Sequence, residues 1–211
     1  MTTSPRCSTM AAMAAQERRT DEVLAGGQIK GGILSAHLRW AEDKLGIAWK
    51  NRLQPHLTAT GMVALQRVVL TSAWFPFRTL IEIDRAIAAE TGQHPDTIYQ
   101  ELGRFSADWH LAGVYRAFAR GRPHEFFSRE AMHHRQYLDF GRAIYQEIDT
   151  TSCSLELVDT TCFSPVFCLS STGYYRRATE LHGGTSVNVT ESHCRCCGDD
   201  RCTFSISWTE G

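Results

Sequence analysis

The chain has 211 residues, 43% hydrophobic and 21% charged, with a formal net charge of −1, a balance that excludes a basic nucleic-acid-binding surface as its main feature. Its length suits one sizeable domain rather than two, and no run of about eighteen uncharged apolar residues suggests a membrane span. Eight cysteines with no leader sequence before them, half of them crowded into residues 194–202, point to metal in a reducing cytoplasm rather than to a disulfide framework.

Residues 1–25 lack apolar periodicity and are expected to form a disordered or loosely ordered tail, leaving 26–211 as a single domain. A helix is predicted from about Ser35 to Leu45, carrying Leu38 and Trp40, and a short one from Met62 to Leu70. Trp74-Phe75-Pro76-Phe77 marks a break and restart, after which Leu80, Ile83 and Ile87 form an amphipathic stripe that ends at Gly92. Residues 96–120 carry the clearest stripe, with Ile98, Leu102, Phe105, Trp109 and Ala112 at helical spacing and Tyr115 and Phe118 beyond. Such a stripe is core in most amphipathic helices, and an aromatic pocket wall is the functional alternative. His110, His124, His133 and His134 have no ligand spacing and are expected to be surface or hydrogen-bonded histidines.

Beyond Gly141 the period shifts towards two. Residues 142–148 and 153–159 are predicted as an antiparallel pair, Ser164 to His182 as a helix stopped by Gly183-Gly184, and 185–193 and 202–208 as a second pair. The expected class is α+β: an N-terminal helical portion packed on a four-stranded antiparallel sheet, with a strand-strand-helix-strand-strand C-terminal part.

The last hairpin carries the chemistry. Glu191 shares a strand face with Val187 and Val189, and a buried carboxylate needs a cation or strong donors. The turn Gly198-Asp199-Asp200 brings Cys194 and Cys202 together, and Ser164-Pro165 starts the helix that delivers Cys168 near its positive end. Cys168, Glu191, Cys194 and Cys202 therefore form a candidate closed, tetrahedral, structural zinc site, with Arg195, Arg201 and turn amides as outer partners. A local set of His193, Cys194, Cys197 and Cys202 is an alternative, as are reduced structural cysteines or a disulfide. Cys153 and Cys162 stay open between small core residues and surface thiols. No dinucleotide fingerprint, phosphate loop, nucleophile elbow or zinc-protease helix is present, and Asp84, Glu101 and Asp108 are expected to be solvated or salt-bridged, so nothing specifies a reaction.

The segments Cys168 to Tyr174 and Glu191 to Cys202 resemble the 4-vinyl reductase domain of aromatic-responsive transcription activators, where matching cysteines and glutamate hold structural zinc beside a phenol-type pocket. The phrases Ser72 to Phe77, Glu101 to Ser106, Gly113 to Arg116 and Tyr137 to Arg142 look closer to a myxobacterial paralogous family of the same architecture. The fold of that domain is similar to vesicle-tethering subunits of the TRAPP type and to haem-based nitric-oxide sensors. The histidine and tryptophan of the phenol pocket have no matching positions here.

The resemblance implies a non-catalytic, cytoplasmic, zinc-containing domain that binds a small hydrophobic or aromatic molecule and signals through a homodimer or a protein partner. Phe105, Trp109, Tyr115 and Tyr145 are the expected pocket lining, chosen from aromatic content and the helical stripe. The alternatives are a dimeric TRAPP-like scaffold and an accessory subunit of a tetrapyrrole-pathway enzyme.

Overall fold

The computed structural model describes residues 22–111 and 122–210. The expected tail lies outside these residues up to position 21, but Glu22 and Val23 are fixed. Val23 exchanges backbone hydrogen bonds with Phe163 (2.9 and 3.0 Å), and Glu22 pairs with Arg85 at 2.6 Å.

The strand β1 (Gln28–Lys30) pairs antiparallel with β2 (Trp74–Pro76) and runs directly into α1 (Gly31–Leu45). This helix begins four residues before the predicted Ser35. The first amides of a helix have no intrahelical acceptor, and here Gly31 N donates to Ala73 O and Gly32 N to Thr71 O, at 2.8 and 3.0 Å. Those acceptors come from a loop some forty residues away, so the early start has no local signature.

Helices α2 (Trp49–Leu53), α3 (Ala59–Gln66), α4 (Phe77–Thr91) and α5 (Pro95–Leu111) complete the helical body. The helix predicted over 62–70 sits instead at 59–66, because the Thr58 hydroxyl accepts from Thr60 N and caps its start. The predicted stripe of α4 is realised, with Leu80, Ile83 and Ile87 wholly buried against Leu34, Trp40, Phe77, Ile98 and Leu102. Each such side chain contributes roughly 1.5–3 kcal/mol of burial energy.

Helix α6 (Pro123–His133) leads to β3 (Arg142–Asp149) and β4 (Ser152–Val158), then α7 (Pro165–Leu181), β5 (Gly184–His193) and β6 (Cys202–Glu210). The four strands form one antiparallel sheet, as the alternation predicts, and their order is β3-β4-β6-β5. Its inner face, with Leu155, Val189, Phe204, Ile206 and Trp208, packs on Phe127, Tyr175 and Ala178. One side of α7 meets this sheet and the other meets α5, so α7 joins the two halves of the core.

Glu130 on α6 supplies a pH test. Burial pushes its carboxyl from 4.5 up to about 7. A group raised on folding stabilises the fold fully below its unfolded value and loses that contribution as pH rises through the folded one. Stability is therefore expected to fall between pH about 4.5 and pH about 7, by at most about 3 kcal/mol. In Glu130→Gln, thermal melts should show this slope flattened and a higher melting temperature at pH 8. An unchanged slope would refute the assignment.

Candidate functional site

The side chains of Cys168, Glu191, Cys194 and Cys202 converge as the sequence predicts, with one ligand atom of each lying within 4.8 Å of all the others. Helix α7 contributes Cys168 at the end of its first turn, where its own amide already donates to Ser164 O at 3.1 Å. On β5, Glu191 lies two residues from the buried Val189, and a register shift between Glu191 and His193 then frees the chain to turn. A short 3-10 turn, Arg195–Cys197, ends at Gly198, whose φ of 91° is a left-handed conformation that few side chains tolerate. The turn is tied by Asp199 Oδ2, which accepts from Cys194 N at 2.7 Å, and Cys202 opens β6 alongside it.

Cys168 Sγ lies 3.8 Å from Cys194 Sγ and 3.9 Å from Cys202 Sγ. A disulfide is about 2.05 Å, whereas sulfurs about 2.3 Å from a tetrahedral ion stand about 3.8 Å apart. The sulfurs are too far apart for a disulfide, and their spacing would admit a tetrahedral ion. Hydrogen bonds from Cys168, Cys196 and Cys202 drive the Cys194 thiol far below the usual range, while the same contacts hold Cys168 well above it. Burial first, and then Cys194, pushes Glu191 up to about 8. Without a cation the cluster thus retains protons that a cation would displace.

Around this cluster, Arg195 N donates to Cys202 Sγ at 3.4 Å. The arginine side chains do other work. The Arg195 guanidinium lies 4.8 Å over the Phe163 ring, and Arg201 pairs with Asp200 at 3.1 Å. Cys196, whose role the sequence leaves open, is buried and hydrogen-bonded into the cluster. Cys153 and Cys162 are buried small residues.

Three of the four expected pocket residues lie within the described residues. Phe105 and Trp109 stack with ring centroids 6.2 Å apart and their planes within 16°, and Phe105 packs on the helical core. Tyr145 belongs to the sheet-side cluster, where its hydroxyl bonds His124 Nδ1 at 2.7 Å. Tyr115 lies outside the described residues, as do Ala112 and Phe118. Between helices and sheet there is a cavity of about 20 Å3 bordered by His134, Phe140, Phe167 and Phe204, with Cys168 and Cys202 in its wall. His134 is buried with Nε2 3.1 Å from Phe140 O, a satisfied histidine as expected.

Sequence reasoning missed a second polar site. Asp84, expected to be solvated or salt-bridged, is wholly buried, with Oδ1 2.6 Å from Nδ1 of the equally buried His37. The two residues are 47 positions apart, and neither has a local signature. Asp108 pairs with Arg177 at 2.8 Å and Glu101 accepts from Trp40 Nε1 at 3.1 Å, both structural roles.

No family model and no curated protein matches this chain. Solved structures do. An H-NOX protein from S. oneidensis in the Fe(II)NO ligation state aligns at a TM-score of 0.67 and 14% identity, over 86% of this chain and 100% of that one. An oxygen-binding H-NOX domain related to soluble guanylate cyclases aligns at 0.61 and 16%, over 86% and 96%. A further H-NOX protein, from a study of heme distortion in that family, aligns at 0.63 and 16%, over 86% and 96%. At such identities the shared property is the fold.

Two expectations are corrected by these likenesses. The resemblance to the 4-vinyl reductase domain rests on a short C-terminal motif, whereas no family model matches and the fold over 86% of the chain is shared with H-NOX proteins. Zinc as cofactor is the second, expected both from the four-residue ligand set and from that resemblance. The proteins sharing the fold are described by iron states and heme, and a cluster of thiols with one carboxyl names no particular ion.

Proposed function

We propose that this chain is a non-catalytic small-molecule-sensing domain built on the H-NOX fold, and that its ligating centre is the Cys168, Glu191, Cys194 and Cys202 cluster, as a transition-metal site. The convergence of these four ligand atoms within 4.8 Å carries the reading. Three thiols and a carboxyl suit a soft or borderline ion and fill a tetrahedral shell, which favours a structural or signalling metal over one that activates substrate. The site ties α7 to the β5–β6 hairpin, so its loading would change how the helix that joins both halves of the core is held. Output through a homodimer or a protein partner belongs to this proposal, and the exposed Ile144 and Ile148 on the edge strand β3 suit such a contact. No helix among the described residues is long and apolar enough to cross a membrane.

A haem does not fit the described residues. The cavity between helices and sheet measures about 20 Å3, room for about one water, whereas a macrocycle needs a pocket of at least about 300 Å3. Phe140, Phe163, Phe167 and Phe204 fill that space, and no lysine or arginine borders it to receive the propionate carboxylates. His134 stands at the cavity, but its Nε2 is engaged by a backbone carbonyl.

Elemental analysis of the full chain purified without added metal should find about one transition-metal ion per chain. Cobalt(II) titration should give thiolate-to-metal charge-transfer absorption that Cys168→Ser weakens by at least about tenfold in affinity. Full occupancy in Cys168→Ser would remove that residue from the shell, and a metal-free folded chain would refute the site. Added hemin should give no stoichiometric complex, and a sharp, saturable Soret band would overturn the haem-free reading.

A further inference from the structure

A second candidate site lies on the helical body, away from the cysteine cluster. A groove of about 260 Å3 runs between α1, the α2–α3 region and the end of α5. Its apolar walls include Leu38, Trp49 and Trp109. Trp109 is 46% exposed, an unusual cost for so large an apolar ring, and it is held flat by stacking on Phe105.

The charges at this groove are unbalanced. Arg39 and Glu42 both border it and pair at 3.0 Å, with Asp43 also on Arg39 at 2.9 Å, so these groups offer an anion no free charge. Lys50 and Arg67 also border it, and neither forms an ion pair with a carboxylate among the described residues. The Lys50 ammonium stands 5.4 Å from the centre of the Trp49 ring. Two indoles flanked by two unneutralised cations form a surface complementary to a flat ring bearing negative charge. The volume lies just below the roughly 300 Å3 at which ligand pockets usually begin, which limits the occupant to one or two fused rings.

We infer that this groove binds a small planar aromatic anion, with Trp49 and Trp109 contacting the ring and Lys50 and Arg67 receiving the carboxylate. The site accounts for Trp109, which the helical stripe singles out and the core does not absorb. It is independent of the metal proposal, since no cluster residue borders the groove.

The test is calorimetric titration of the full chain with 2-naphthoate and with neutral 2-naphthamide, which has the same shape. Naphthoate is expected to bind at least about tenfold more tightly than the amide, and Lys50→Ala/Arg67→Ala to abolish that difference. Both replaced residues are exposed, so the variant should retain the wild-type circular dichroism spectrum. Trp109→Ala should weaken both compounds. Repeating the titration with a metal chelator should leave the affinity unchanged, which separates a failure here from a failure of the cysteine site. Indole N–H resonances of Trp49 and Trp109 should shift on adding naphthoate while that of buried Trp40 stays. Equal binding of acid and amide, unchanged binding by the double variant, shifts confined to other tryptophans, or no binding up to the solubility limit would each overturn the inference.

Discussion

Gly173→Ala is expected to destabilise the protein by about 3 kcal/mol or more, and to leave it largely unfolded if the starting stability is modest. Where α7 crosses α5, a Cβ on Gly173 would stand 2.0 Å from Gln100 O, and one on Gly103 would stand 1.8 Å from Ser170 O. Each glycine admits the other helix's backbone, so neither position can yield by rotating a flexible side chain. Accommodating one methyl group would push the helices apart by more than an ångström, separating the helical body from the element that carries Cys168. Thermal denaturation by circular dichroism measures the loss, with Thr172→Ala as a control on the same helix. A Gly173→Ala melting temperature equal to wild type would show that these backbones do not touch.

The second large effect is expected at His37 and Asp84. In His37→Leu the Asp84 carboxyl remains wholly buried without its partner, and removing one member of such a pair typically costs about 3–5 kcal/mol. Burial raises the Asp84 pKa, and His37 opposes that rise. Losing His37 raises it further. Because a carboxyl raised on folding withdraws stability as pH rises through its folded value, the penalty in His37→Leu should be smaller in acid and grow towards neutral pH. The double variant His37→Leu/Asp84→Val should recover most of the loss, giving a coupling of about 2 kcal/mol or more in a double-mutant cycle from urea denaturation. Additive single losses would mean that the two groups act independently, contrary to their 2.6 Å contact.

Both predictions concern contacts that the sequence hides, and the pattern of success and failure has a physical basis. The α4 stripe and the four strands are visible because periods of 3.6 and 2 are written by the core they face. The β1–β2 ribbon is only three residues per strand, too short to show alternation, and each strand forms because the other is there. The N-terminal extension of α1 likewise depends on carbonyls supplied by the loop before β2.

The candidate site divides the same way. Glu191, Cys194 and Cys202 belong to one hairpin, whose turn residues place them together by local geometry, and Cys168 follows a local helix-start signal. Spacing therefore nominates the four residues beside the local alternative, and the packing of α7 on the sheet brings Cys168 to the hairpin. Spacing was not enough to select the family or the ion, because a tail motif samples a small part of an architecture and several metals accept the same ligands. Spacing does not decide whether the expected aromatic pocket assembles, for the complementary reason. Residues on one helical stripe share a face, but whether that face meets Tyr145 depends on how α5, α7 and the sheet are stacked.

What the sequence determined by itself was the α4 stripe, the four strands, α7 and a candidate set of four ligands, since these arise from periodicity and turns within short stretches of chain. Only the tertiary structure decided that a water-sized cavity remains between helices and sheet among the described residues, that His37 meets Asp84, and that Trp109 borders an open groove. Each of these is set by contacts between residues far apart in the chain, where burial and close packing leave no local periodicity to read.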